Sequence, residues 1–354
     1  MTNRYFIMPV RVKLGAEYMV KLFKVLLLII VIFVGYRVSQ ELKDHPRLVE
    51  QITTASQDVK DEALKTIEKL QKQKEIAEEQ PKEIKVDELG IPKMTDKAKM
   101  TLASEYHKKW RVYEDHYQNF TLLLPNNDGG YIAGKNRTIF GATTGKTTFS
   151  TLKQKLGTPL SQIQKGNIVY ELSQDQEQLV YHIDGYFVTF FFDQHNHYKL
   201  RSVQYIKKNI EMQKKGYYGQ ASRELRAAYE TLMVELINES RVEFGLKPLT
   251  YDKGLTGQAR QHSQDMIDNH YFSHTGSDGS QPYTRMQAAG YKEQMYAENI
   301  AYGQYSSIYA HEGLMNSLGH RENILNPKLT HVGVGVAFDA NNVPYYTINF
   351  YRPF

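Results

Sequence analysis

The spacing of apolar residues changes along the chain, and each change marks a boundary. Val25 to Tyr36 is an uninterrupted apolar run. With Lys21, Lys24 and Arg37 snorkelling at its ends it reaches the roughly ~20 residues that a bilayer requires, which predicts a transmembrane helix over residues 21–38. From 39 to 85 Asp, Glu, Lys and Gln dominate, and Val59, Ala63, Ile67 and Leu70 form one thin stripe at helical spacing. Such a stripe is too narrow to pack on a core and predicts a charged helical stalk, either a single solvated helix or a short parallel coiled coil, ended by Pro81. Residues 86–205 switch to short runs of Tyr, Phe, Val and Thr bounded by Gly, Asn and Asp, the pattern of strands and turns. Lys199 to Arg226 is basic and reads as helical, so residues 206–224 are expected to be a connector.

Within the strand-rich segment the pattern occurs twice. Leu89-Gly90-Ile91-Pro92 leads to Val112-Tyr113, and Leu156-Gly157-Thr158-Pro159 leads to Val180-Tyr181. Pro92 and Pro159 lie 67 residues apart, and Tyr113 and Tyr181 lie 68 apart. A near-constant offset predicts two similar halves, each burying its Val-Tyr pair. His116, His182, His195 and His197 fall in this segment without ligand spacing and are expected on a solvated surface. Thr144-Gly145-Lys146-Thr147 is not a phosphate loop, because Phe140 stands where that motif needs glycine.

From residue 225 the period becomes helical. Leu225, Tyr229, Leu232, Met233, Leu236 and Ile237 line one face of a helix that closes at Gly245, and Leu255, Ala259, His262, Ser263, Met266 and Ile267 line the next. A third helix, Ser306 to Ser317, leads to Gly319-His320, expected as a tight turn that projects His320. Val332, Val334 and Val336 alternate with glycines, which predicts a strand with one apolar face and close backbone approach on the other. Residues 225–354 therefore read as an α+β domain: helices wrapped on a small antiparallel sheet.

Composition adds the setting. At 354 residues and 41% hydrophobic, the chain can form two modest globular domains beyond its N-terminal segments. Arg4, Arg11, Lys13, Lys21 and Lys24 precede the apolar run against a single Glu17. The positive-inside rule then puts residues 1–20 in the cytoplasm and everything after the span outside. Tyr36-Arg37-Val38-Ser39-Gln40 lacks the small-residue pair of a cleavage site, so an uncleaved anchor is expected over a signal peptide. There is no cysteine, which excludes disulfides and thiolate metal sites. The net charge of +5 is mild, fits contact with anionic lipid or wall polymers, and does not point to nucleic acid.

Several motifs of the last domain carry a resemblance. Leu236-Ile237-Asn238-Glu239-Ser240-Arg241, Gly245-Leu246-Lys247-Pro248-Leu249, Phe272-Ser273-His274, Ala297-Glu298-Asn299-Ile300 and Gly319-His320-Arg321-Glu322-Asn323-Ile324-Leu325 resemble, in order, the bacterial branch of the CAP superfamily. That superfamily groups cysteine-rich secretory proteins, insect venom antigens and plant pathogenesis-related proteins. Residues 86–205 resemble the duplicated N-terminal module found beside CAP domains in membrane-anchored Firmicutes proteins. The resemblance implies an α-β-α sandwich, a cell-membrane anchor with the domains extracellular, and a groove of two histidines and two acids. Carried over by motif, His274, Glu298 and His320 take three of these positions; Ser317 stands at the other acidic one, and Glu322 lies beside them in the last motif.

Two imidazoles and a carboxylate make a three-ligand set for a divalent metal such as zinc, with an open position for water. Equally, Glu298 beside a histidine can form an acid/base pair. Singly, each histidine can instead cap a turn. His311-Glu312 is not a metalloprotease motif because residue 315 is Met, and no Gly-x-Ser-x-Gly nucleophile elbow occurs. Two function classes follow: a non-catalytic envelope module that binds a ligand, an envelope component or a surface protein, and a metal-assisted hydrolase of peptide or wall substrates. The Ser317 departure favours the first.

Overall fold

The computed structural model describes residues 83–94 and 97–354, together with Val12–Leu14, Leu26 and Ile30. The expected stalk lies outside the described residues except for its last three, and the expected span does so except for Leu26 and Ile30. Among the described residues no helix is long and apolar enough to cross a membrane.

The strand-rich segment begins after β1 (Val12–Leu14) with a meander, β2 (Met100–Ala103), β3 (Lys109–Asp115), β4 (Gln118–Leu123) and β5 (Gly129–Ala133), followed by the small hairpin β6 (Thr138–Ile139) and β7 (Ala142–Thr143). Helix α1 (Phe149–Leu156) comes next, then the hairpin β8 (Gln162–Lys165) and β9 (Ile168–Glu171). A second meander follows: β10 (Gln178–Ile183), β11 (Tyr186–Asp193) and β12 (Lys199–Lys207). The chain divides into two compact units, and the smaller comprises residues 10–82 and 162–172, where β1, β9 and β8 form a three-stranded sheet in that order.

The larger unit holds a seven-stranded antiparallel sheet of order β10-β11-β12-β5-β4-β3-β2. Apart from β2 its order is palindromic about the β5–β12 pair, where Tyr131 faces Gln204. Each arm repeats strand, strand, 3-10 turn, strand, with the turns at Pro125–Asn127 and Gln194–Asn196. Val112, Tyr113, Val180 and Tyr181 are all buried. The two Leu-Gly-x-Pro segments differ, however. Gly157 closes α1, whereas Gly90 lies in a non-helical stretch whose preceding Leu89 carbonyl accepts from Phe140. His116, His195 and His197 are exposed as expected, His195 with its Nε2 2.8 Å from the Asn316 carbonyl oxygen, but the His182 side chain is largely buried and packs against Phe187.

The basic segment is not one helix. Residues 199–207 are β12, because alternate side chains of that strand fill cores on both faces of the sheet, and only α2 (Lys208–Gln213) is helical before α3 (Arg223–Glu243). After α3 come β13 (Thr250–Tyr251), α4 (Lys253–Asp268), α5 (Pro282–Ala288), β14 (Glu293–Tyr302), α6 (Ser307–Asn316), α7 (Leu318–Ile324), β15 (His331–Phe338) and β16 (Pro344–Pro353). Their sheet has the order β13-β15-β16-β14, antiparallel except for β13 with β15.

The alternation in β15 sets the layers. Val332, Val334 and Val336 face α3 and α6 in one core, while α4 lies on the glycine side. A Cβ on Gly335 would fall 1.9 Å from the backbone nitrogen of Arg260, so only glycine admits the helix there. Helix α3 is buried nearly all round because it serves two cores. Tyr229, Met233 and Ile237 pack on the four-stranded sheet, and Leu232 and Leu236 pack with Trp110, Phe120 and Tyr131 of the seven-stranded one. The α-β-α sandwich and the β-rich module thus share α3.

Candidate functional site

Strand β14 is an edge strand, and the candidate residues gather along it. Glu298 lies in its middle, with β16 as its only neighbouring strand among the described residues and Asn349 opposite. Even-numbered residues of β14 face α4 and α5, and odd-numbered ones such as Ala297 and Ala301 face the α3 core. His274 sits on the loop between α4 and α5, and its Nδ1 is 2.9 Å from Glu298 Oε1. A carboxylate only accepts, so Nδ1 carries the proton when the ring is neutral, leaving Nε2 as an acceptor on a half-exposed side chain.

The loop is anchored from within. Asp265 accepts from Ser277 N (3.0 Å), Ser277 Oγ (2.5 Å), Asn269 Nδ2 (2.7 Å) and the Tyr271 hydroxyl. Burial opposes its ionisation, but these donors prevail and hold its carboxyl down to about 2. Arg285 on α5 then ties loop to strand. Its Nη1 donates to the carbonyls of His274 and Ser280, both at 2.9 Å, and its Nη2 donates to Glu298 Oε2 at 2.8 Å.

Two of these groups were not singled out as site residues from the sequence. Arg285 has no distinctive spacing. His262 was placed only on the inner face of its helix, although a buried histidine must find a partner, and that is the signal it offered. Its Nε2 donates to the Ser273 carbonyl (3.0 Å) and lies 4.0 Å from Glu298 Oε1, while its Nδ1 is buried without a partner. Burial pushes the His262 ring below the ordinary histidine range; Glu298 pulls it back and Arg285 adds to the lowering.

His320 approaches from the opposite layer. The expected tight turn at Gly319 is not there: α6 passes into α7 through Ser317, the N-cap of α7, and Gly319 and His320 lie within that helix. Ser317 Oγ and His320 Nδ1 are 2.7 Å apart, and Asn299 Nδ2 donates to the His320 carbonyl at 3.0 Å. Burial pushes the His320 ring down to about 4, with neighbouring His274 acting in the same direction. The structure therefore brings His274 and Glu298 into contact and sets His320 beside them on Ser317. Glu322 is exposed on α7 and takes no part in this cluster. Arg321 turns away from the groove to grip Asp193 of β11 with two hydrogen bonds, at 3.2 and 2.9 Å.

These residues do not fit a zinc ion. Both Glu298 oxygens are engaged, and a guanidinium 2.8 Å away places a fixed positive charge where a divalent cation would bind. Among the described residues no group of three His, Asp or Glu side chains is placed to hold a metal.

The lowered His320 ring has a measurable consequence. Between about pH 6.5 and about pH 4 the unfolded chain takes up a proton at His320 and the folded groove does not, so stability falls as pH falls, and the lowering of His262 acts in the same direction. His320→Gln is expected to flatten that slope. Urea midpoints near neutrality and near pH ~5 measure it; identical slopes in the two proteins would sink the assignment.

Residues 234–350 match the profile of the cysteine-rich secretory protein (CAP) family, and residues 84–217 match that of the CAP-associated N-terminal family. Two Bacillus subtilis proteins are similar in sequence. One, uncharacterized protein YkwD, is 46% identical over 109 residues, covering 31% of this chain and 42% of its own length. The other, uncharacterized membrane protein YlbC, is 32% identical over 161 residues, covering 46% and 45%. This chain thus spans under half the length of either relative. An extracellular protein of Bacillus anthracis containing an SCP domain has a similar structure, with a TM-score of 0.63, 25% identity, and coverage of 72% of this chain and 89% of its own. A cysteine-rich secretory protein from Staphylococcus aureus shares the fold, with a TM-score of 0.58 at 18% identity, and coverage of 72% and 86%.

Proposed function

We propose that this chain is a membrane-anchored, extracellular CAP-domain protein whose groove binds a component of the cell envelope without transforming it. The observation that carries the reading is the neutralised Glu298: one oxygen faces His274 and the other Arg285, while His320 is occupied by Ser317 and kept uncharged by burial. A histidine held that low is a poor base for activating its serine neighbour near neutrality. The carboxylate orients an imidazole and does not itself stand free to attack or to abstract a proton. One observation favours hydrolysis instead. The His274–Glu298 pair leaves Nε2 pointing outward as an acceptor, which is how a general base is presented.

Retention on cell-wall sacculi separates the two readings. The full chain, purified in detergent and mixed with Bacillus subtilis sacculi, is expected to be retained and to release no soluble fragments. His274→Ala, a change at a half-exposed side chain, is expected to weaken retention by roughly fivefold or more through one lost hydrogen bond. Release of wall fragments or peptides that disappears in His274→Ala would overturn the binding reading, as would stoichiometric zinc lost in that variant.

The anchor rests on the apolar run and its basic flank. Pairing of β1 with β9 would place Val12–Leu14 on the same side of a membrane as residues 168–170, whereas the anchor places them on opposite sides. The proposal therefore requires that this pairing be absent from the inserted chain. Protease added to wall-stripped cells distinguishes them, since the anchor predicts removal of the CAP domain with a short fragment left in the membrane.

A further inference from the structure

Within the CAP domain most of the exposed large apolar side chains border one groove. Of Phe244, Phe272, Tyr283, Tyr296, Leu318 and Phe354, all but Phe244 and Phe354 lie on β14, against it, or on helices that meet it, and Phe244 is covered by the Arg321 guanidinium at 4.8 Å. Exposed aromatics gathered in this way mark a binding surface.

Their placement on β14 is regular. Tyr296, Glu298 and Tyr302 share the face of the strand that carries the candidate site, so Tyr296 and Tyr302 stand about 20 Å apart with Glu298 between them. Each end is a pair of rings: Tyr283 on Tyr296 with centroids 5.7 Å apart, and Phe272 on Tyr302 at 5.2 Å, the latter continued by Tyr345 at 4.8 Å. Phe272 is 40% exposed, Tyr283 39% and Tyr296 44%, so each still offers ring surface to a ligand.

The ion pair at the centre is self-compensating: Glu298 and Arg285 cancel at 2.8 Å, and burial disfavours the charged forms of His262 and His320. What remains facing outward is hydrogen-bonding capacity on His274 and around the Ser317–His320 pair.

A peptide would normally exploit an edge strand by extending its sheet. Here the middle of the edge is closed, because Asn323 Nδ2 donates to the Glu298 carbonyl (3.4 Å) and to Asn299 Oδ1 (2.8 Å). Recognition through ring faces and neutral side chains, without backbone pairing, suits sugar rings with their apolar faces and hydroxyl and amide edges.

We propose that the groove along β14 binds an uncharged stretch of polysaccharide several sugars long, laid from the Tyr296–Tyr283 pair across His274 to the Phe272–Tyr302 pair. This deepens the binding reading above and rests on it. The probe is the β-1,4-linked N-acetylglucosamine tetramer, titrated by calorimetry into the full chain in detergent. The tetramer is expected to bind at least about tenfold more tightly than the dimer, because only the longer chain reaches both ring pairs. Tyr296→Ala and Phe272→Ala, both at exposed positions, are each expected to weaken tetramer binding by roughly fivefold or more, since stacking on one ring is lost. Binding that ignores chain length, binding unchanged in both variants, or tighter binding of polyglycerol phosphate than of the tetramer would overturn the proposal. If sacculi retain the protein but the tetramer does not bind, the sugar assignment falls and the envelope-binding reading stands.

Discussion

Arg201→Ala is expected to lower the unfolding free energy by about 3–5 kcal/mol, among the largest effects of any single polar substitution in this protein. Arg201 leaves β12 and enters a sealed space beneath α3 and α6. Its Nε is 3.1 Å from Glu312 Oε2, and its Nη2 is 2.5 Å from Ser240 Oγ and 3.5 Å from Glu239 Oε2. Glu312 also accepts from the Tyr131 hydroxyl at 2.7 Å and from Ser202 Oγ at 2.5 Å, and Ser240 Oγ lies 2.9 Å from His311 Nε2. Removing the guanidinium strands buried carboxyls without their cation, and the cost is that desolvation rather than the net worth of the ion pair. Burial raises Glu239 to about 8, against the opposing pull of Arg201. A raised carboxyl contributes stability at low pH that is lost as pH climbs from ~4.5 to about 8, so Glu239→Gln is expected to be nearly neutral near pH ~4 and to remove that decline, becoming the more stable protein as pH rises toward about 8. Urea titrations with an unchanged m-value test both variants. A loss under ~1 kcal/mol for Arg201→Ala would show that the cluster is solvated.

Gly335→Ala is the second large effect, about 3 kcal/mol or more. The added Cβ would fall 1.9 Å from Arg260 N and 2.3 Å from the Ala259 carbonyl carbon, so it meets backbone rather than a side chain that can turn aside. Overpacking a close helix–strand contact typically costs about 1–3 kcal/mol, and here α4 itself must lift off β15. Because α4 carries His262 under Glu298, the displacement is expected to disturb the His262 imidazole resonances as well. An unchanged thermal midpoint for Gly335→Ala would refute the packing.

How much of this was legible follows the range of the forces involved. The valine–glycine alternation of β15 and the helical stripe of α3 were readable because periodicity is local, and they predicted both the strand and the close approach that α4 makes on its glycine side. His274 and Glu298 were found through their motifs. Arg285 and His262 were missed because a side chain's partner across 13 or 36 residues leaves no periodic trace. Gly319 misled for a related reason: glycine permits a turn without requiring one, and the break sits at Ser317, whose backbone is extended. The basic residues of 199–207 were assigned to a helix on charge, yet the apolar residues between them fill cores on both faces of a sheet, and burial prevailed over propensity.

The palindromic sheet also dictates how cheaply the module can form. Of the six strand pairings in the seven-stranded sheet, five join strands consecutive within an arm, each closing a short loop. Only the β5–β12 seam joins distant segments, pairing residues 129–133 with residues 202–206. Each arm can therefore zip locally, and a single long-range encounter remains. Loop-closure entropy grows only logarithmically, so this one encounter costs about 0.6 kcal/mol more for each doubling of the intervening chain. The seam is therefore expected to be the slow encounter, and lengthening the segment between the arms, where β8 and β9 already extend it, is expected to slow folding while leaving the finished sheet intact.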